Sequence, residues 1–212
     1  MTYRLAIFDF DGTLADSFPW FVGVLNGVAR RYGFRQVRPD ELETLRGCDA
    51  RALMRHLQVP AWKLPFIARH MRRLMARDIA GIAAFDGVSG LLRTLAERGV
   101  TIAVVSSNSV DNIRRVLGPD SAALVQRYAC GASLFGKPAK FRSVLRDTGT
   151  PAAAAIAIGD ETRDIEAARR VGIACAAVTW GYARADVLAA GRPDFLFDRM
   201  DQIAPAIALA IA

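Results

Sequence analysis

Hydrophobic positions run unbroken in four short stretches and recur at helical spacing between them. Leu5-Ala6-Ile7-Phe8, Thr101 to Val105, Ala153 to Ile158 and Ala174 to Val178 carry apolar or small residues at every position or nearly so. Side chains alternate across a strand, so such runs predict strands buried on both faces, as in a parallel sheet covered by helices. Shorter strands are expected near Tyr128 to Cys130 and from Asp194 to Phe197. Helical segments are expected at Val88 to Arg98, closed by Gly99, then after Ser109 to about Leu117, after Pro138 to Thr148, and from Thr162 to Val171. This alternation predicts an α/β fold, with a Rossmann-like parallel sheet core and helices on both faces.

Residues 17–82 break the alternation. Asp16 to Trp20 reads as a breaker segment, and helical spacing then returns in Phe21, Val24, Leu25 and Val28 and in Leu53, Met54 and Leu57. Gly33, Pro39, Gly47 and Pro60 punctuate this region into a unit of four or five helices. The predicted organisation is an α/β core from residues 1–16 and 83–212, with an all-α unit at 17–82 inserted into it. Met71 and Met75 are expected in the core. His56 and His70 lack metal-ligand spacing and read as ordinary helix residues.

Composition narrows the class. With 212 residues, 52% of them hydrophobic, the chain can build one α/β core with a modest insertion. No apolar run reaches the roughly 18 residues that span a membrane. Met1-Thr2-Tyr3-Arg4 leads straight into the first strand, so a cytoplasmic location is expected. Cys48, Cys130 and Cys175 are odd in number and far apart, which argues against disulfides or a zinc site and for small buried residues. The net charge is +7, and residues 17–82 hold 12 of the 28 Lys and Arg but only 5 of the 21 Asp and Glu. The whole excess therefore lies in the inserted segment. It is either a solvated basic helical face or a region that attracts an anionic substrate. Nucleic acid is not the expected partner, because no aromatic–basic platform for single strands is evident there.

The candidate chemistry sits where the strands end. Asp9 and Asp11 follow the first strand two residues apart, and Gly12 lets the chain turn away. Residues at that spacing leave a strand on one face, at the carboxyl end where ligands bind in open α/β sheets. Two carboxylates about 4 Å apart repel by roughly 4 kcal/mol at an effective dielectric near 20. A divalent cation would offset this, and Mg2+ prefers one or two carboxylates with phosphate oxygens and water. After Val105, Ser106 offers a hydroxyl, and the backbone of Ser107 and Asn108 opens a helix that favours an anion. Lys137 stands between Gly136 and Pro138, and Gly159-Asp160 is followed by Asp164. Taken singly, each has an ordinary reading as a cap or a surface residue.

Together and in this order, Asp9-Phe10-Asp11-Gly12-Thr13-Leu14, a strand ending in Ser106, Gly136-Lys137-Pro138 and Gly159-Asp160 with Asp164 resemble the four-motif pattern of the haloacid dehalogenase-like superfamily. Val178 to Tyr182 and Arg192-Pro193-Asp194 resemble the ends of its phosphoglycolate-phosphatase-like members. The resemblance implies a Mg2+-dependent phosphatase acting on a small phosphorylated, anionic metabolite. It implies Asp9 as the nucleophile that forms an aspartyl-phosphate and Asp11 as the general acid/base. Ser106 and Lys137 would bind the transferring phosphoryl group, beside the Gly12, Thr13, Ser107 and Asn108 segments. Whether Ser106 or Ser107 is the motif hydroxyl stays open, with Ser106 favoured because it directly follows the strand. The metal set implied is Asp9, the Asp11 carbonyl and Asp160, with Asp164 in support. Residues 17–82 would be a helical cap over the site, with Arg46 before Gly47 as the candidate substrate contact. A monomer or homodimer is expected.

Other readings share parts of this pattern. A dehalogenase would need neither Asp11 nor Asp160. A sugar-phosphate mutase would use every motif and differ in returning the phosphoryl group. A phosphonate hydrolase needs a lysine in the inserted unit, where Lys63 is the sole lysine. A non-catalytic binding module would be expected to have lost one of the acidic groups.

Overall fold

The computed structural model describes residues 3–48, 50–131 and 136–207. The apolar runs form strands β1 (Leu5–Phe8), β2 (Thr101–Val105), β3 (Arg127–Ala129), β4 (Ala155–Gly159), β5 (Ala174–Val178) and β6 (Phe195–Phe197). All pair in parallel, in the order β3-β2-β1-β4-β5-β6. The chain builds outward from β1 on one side, then crosses to the other side with β4. The strand order therefore reverses between β1 and β4, the kind of switch point where open sheets place their ligands.

Alternation along the strands assigns each residue to a face. Ala6, Phe8, Val104 and Ile158 pack with Leu92, Ile113 and Ile203, from α5 (Val88–Glu97), α6 (Val110–Ala123) and α10 (Ile203–Ile207). Leu5, Ile7, Val105 and Ala157 pack with Phe141, Ile165 and Leu188, from α7 (Lys137–Thr148), α8 (Thr162–Arg169) and α9 (Ala185–Ala190). The expected helices are present. The one ending near Leu117 is broken there by Gly118, whose backbone (φ 74, ψ 165) leaves the helix before Pro119 starts a last turn.

Between β1 and α5 the chain makes α1 (Phe18–Tyr32), α2 (Leu42–Arg46), α3 (Ala50–His56) and α4 (Leu64–Asp78). This insert has a small core of its own, Leu25, Val37, Leu45 and Leu57. The expected breaker at Asp16 to Trp20 is corrected: α1 already starts at Phe18. Pro19 sits in its first turn, where a missing N–H costs nothing. The expectation for Met71 also needs correction, since Met75 is buried but Met71 is only half-buried. Of the cysteines only Cys175 is buried; Cys48 and Cys130 are partly exposed. The two ends of the insert are tied together. Asp16 donates to the Ala83 carbonyl at 2.9 Å, Phe85 donates to the Leu14 carbonyl at 2.9 Å, and Ala15 bridges Ala84 antiparallel.

Candidate active site

The site forms where the strands run out. Phe8 pairs with Val104 on one side and Ile158 on the other. The next residues along these strands, Asp9, Ser106 and Asp160, emerge within about one residue of the same level at the switch point. Asp9 is 6% exposed and Asp160 fully buried. Gly12, at φ 78, turns the chain back toward β4. Thr13 then donates its hydroxyl to Asp160 Oδ1 at 2.7 Å, and the Tyr182 N–H donates to Oδ2 at 2.8 Å. A side chain at Gly12 or Gly181 would run into the Asp160 carboxylate, so close packing fixes that group as well.

Lys137, the first residue of α7, is buried between two acids. Its ammonium lies 2.5 Å from Asp9 Oδ2 and also pairs with Asp164 Oδ1. Burial works against its charge, but Asp164 and Asp9 overcome that and hold its pKa above the ordinary value. Carboxylate oxygens of Asp9, Asp160 and Asp164 all lie within 4.8 Å of one another. Burial, with the charges of Glu161, Asp9 and Asp164, raises the Asp160 pKa well above the usual carboxylate range. Burial likewise pushes Asp164 up to about 6, against the pull of Lys137. This buried trio is short of positive charge, and hard oxygen donors of this kind suit a divalent cation. Neither His56 nor His70 belongs to a potential metal group among the described residues.

Asp11 stands apart from the trio. Asn108 Nδ2 donates to its Oδ2 at 3.1 Å. Burial first, and the Asp9 charge second, push the Asp11 pKa up to about 6. A carboxyl with that pKa can carry a proton at a useful fraction of the time near neutrality, as a general acid must. Ser106 is buried, and its Oγ accepts the Asn108 N–H at 3.0 Å. With the oxygen used as an acceptor, its hydrogen remains available as a donor.

A cavity of about 320 Å3 runs from Asp11, Ser107 and Asn108 into the insert, between residues such as Phe21, Leu57 and Met71. Sequence reasoning missed this chamber, and it missed Arg163. The Arg163 guanidinium lines the chamber and pairs with Glu161 at 2.6 Å, while its buried Nε has no partner. Its position after Asp160 was visible, but nothing in the spacing says that α8 turns it toward the acidic residues.

Arg46 does reach the chamber, with three of its five N–H donors bonded within the protein. Nε donates to the Tyr182 carbonyl at 3.1 Å, Nη2 to the Gly181 carbonyl at 2.9 Å, and Nη1 to Glu43 at 3.0 Å. These bonds make Arg46 a latch between the insert and the loop that covers Asp160, at the wall of the chamber. Eight of the insert's eleven arginines are exposed, so most of its charge faces outward rather than into the site. Lys63 donates to the Tyr32 carbonyl and lies outside the chamber lining.

The haloacid dehalogenase-like hydrolase profile matches residues 6–178. The chain belongs to the haloacid dehalogenase-like hydrolase family. A phosphoglycolate phosphatase of Synechococcus elongatus is 32% identical over 202 residues, covering 95% of each chain. One from Aquifex aeolicus is 24% identical over 200 residues, covering 92% of each. A haloacid dehalogenase-like hydrolase of Streptococcus pneumoniae shares the fold at a TM-score of 0.78 and 18% identity, over 96% of this chain and 98% of that one. CbbY of Rhodobacter sphaeroides, solved with phosphate, superposes at a TM-score of 0.71 and 22% identity, over 93% of this chain and 94% of that one. Within the family the chain is a phosphatase of the phosphoglycolate-phosphatase-like kind. Among the described residues no helix is long and apolar enough to cross a membrane.

Proposed function

We propose that the chain is a Mg2+-dependent phosphomonoesterase that turns over through an aspartyl-phosphate on Asp9. The observation that carries this reading is the buried trio of Asp9, Asp160 and Asp164 beside Lys137, at the strand ends that also carry Asp11. At 4.8 Å, two carboxylates repel by roughly 3–4 kcal/mol at an effective dielectric near 20. Asp9, Asp160 and the Asp11 carbonyl would hold the ion, with Asp164 in support. Bound Mg2+ would supply positive charge that screens the phosphoryl oxygens from the attacking carboxylate.

The chain's own groups account for the rest. Lys137 is fixed against Asp9 and adds a second positive charge where two anions must meet. Asp9 attacks phosphorus, and its new O–P bond forms as the bond to the leaving oxygen breaks. Asp11 gives its proton to that oxygen. Asp11 then takes a proton from water as the water attacks phosphorus. Phosphate leaves and the Asp9 carboxylate is restored. The Ser106 hydroxyl and the Ser107 N–H are the donors offered to the phosphoryl oxygens, because the Asn108 N–H is already bound to Ser106.

The names of its relatives make phosphoglycolate the reference substrate. A cytoplasmic location and a monomeric or homodimeric state fit this reading. The apolar far part of the chamber offers few partners to a sugar's hydroxyls, which favours a hydrolase over a mutase. The test is release of p-nitrophenolate from its phosphate ester, with Mg2+ and with a chelator. Turnover should require Mg2+ and vanish in Asp9→Asn, a nearly isosteric change, while circular dichroism stays unaltered. Normal turnover by Asp9→Asn would refute the mechanism.

A further inference from the structure

The chamber behind Asp11 has one end on the candidate leaving-group acid and the other deep in the insert. Asp11, Ser107 and Asn108 form its near end. Phe21, Leu25, Leu57 and Met71 stand along the far part, and most of the remaining lining is also aliphatic or aromatic. Its volume, about 320 Å3, falls in the range of sites that enclose organic ligands. A two-carbon acid would leave most of that space unfilled and most of its hydrocarbon wall uncovered. Three arginines also line it: Arg46 holds two carbonyls and Glu43, Arg163 pairs with Glu161, and Arg72 is the third, while most of the wall is hydrocarbon.

We propose that the preferred substrate is a phosphate monoester whose alcohol carries an apolar group, a ring or short hydrocarbon chain, seated in this chamber. This rests on the phosphatase reading, because the phosphoryl group must lie at Asp9 for the alcohol to enter past Asp11. Each buried methylene then tightens binding by about fourfold, until the chamber is full.

Calorimetric titration of the Mg2+-loaded protein with methyl-, butyl-, hexyl- and benzylphosphonate tests this without turnover. Affinity should rise about fourfold per methylene from methyl to hexyl, and benzylphosphonate should bind far more tightly than methylphosphonate. Ala68 also lines the chamber, and Ala68→Phe should narrow the hexyl-to-methyl affinity ratio by about tenfold or more. A flat or falling series in the wild-type protein, with methylphosphonate bound, overturns the apolar substrate and leaves the phosphatase reading standing. If no phosphonate binds and p-nitrophenyl phosphate is not hydrolysed, the phosphatase reading falls and this proposal falls with it.

Discussion

Asp160→Asn should make the metal-free protein more stable while ending Mg2+-dependent turnover. The side chain is fully buried, with carboxylate oxygens of Asp9 and Asp164 within 4.8 Å. Each neighbour costs up to roughly 3–4 kcal/mol at an effective dielectric near 20. Lys137 and Arg163 offset part of this, so a net gain of about 1–3 kcal/mol is expected on removing the charge. The substitution adds no volume, as the glycines at positions 12 and 181 demand. Its hydrogen bonds also survive: the amide oxygen accepts from the Tyr182 N–H, and the amide nitrogen donates to the Thr13 hydroxyl. Such a gain raises the melting temperature by roughly 3–10 °C for a chain of this length. Thermal unfolding near pH 8 in chelator, then in excess Mg2+, reads it out. Mg2+ at a hundredfold over its Kd should stabilise the wild type by about 2.7 kcal/mol, and the mutant far less. The reasoning is refuted if the mutant is less stable than wild type in chelator, or if Mg2+ stabilises both alike.

Asp11→Asn should slow turnover by about 10²–10⁴-fold, with a smaller loss on p-nitrophenyl phosphate than on an alkyl phosphate, whose leaving oxygen needs the proton more; equal losses would mean that Asp11 is not the leaving-group acid. Arg46→Ala frees the Gly181 and Tyr182 carbonyls from the insert. It should lower kcat/KM for phosphoglycolate and p-nitrophenyl phosphate alike and speed proteolysis between insert and core. A selective loss on phosphoglycolate would instead make Arg46 a carboxylate contact.

The strands were legible because burial on both faces leaves little choice of residue, so β1, β2, β4 and β5 read as nearly continuous apolar runs. Asp9 and Asp160 were legible because each follows such a run at once, and Asp11 and Asp164 by their spacing from those two. The strand order was not, since a parallel sheet pairs residues far apart in sequence and an apolar run does not name its neighbour. Strand boundaries moved by a residue or two, as at β4, where Ala152–Ala154 form a 3-10 turn instead of extending the strand. The short α9 and α10 carried too few turns for a periodic signal. The insert's arginines were visible as a charge excess, but their direction depends on how four helices pack. Apolar residues at helical spacing predict a filled core, and nothing in that spacing told Phe21, Leu57 and Met71 that a chamber would lie between them.

The tied ends of the insert have a consequence for how the molecule could be re-engineered. Leu14 to Asp16 and Ala83 to Phe85 run side by side, so the chain enters and leaves residues 17–82 through one narrow doorway. Any helical cassette whose ends come equally close could be spliced there without shifting the register of β1 against β2 or β4. The acidic residues, all carried on the far side of that doorway, would keep their places. What would change is the wall facing Asp11. Grafting the corresponding segment from a relative would thus exchange the alcohol the protein accepts while leaving the phosphorus chemistry in place.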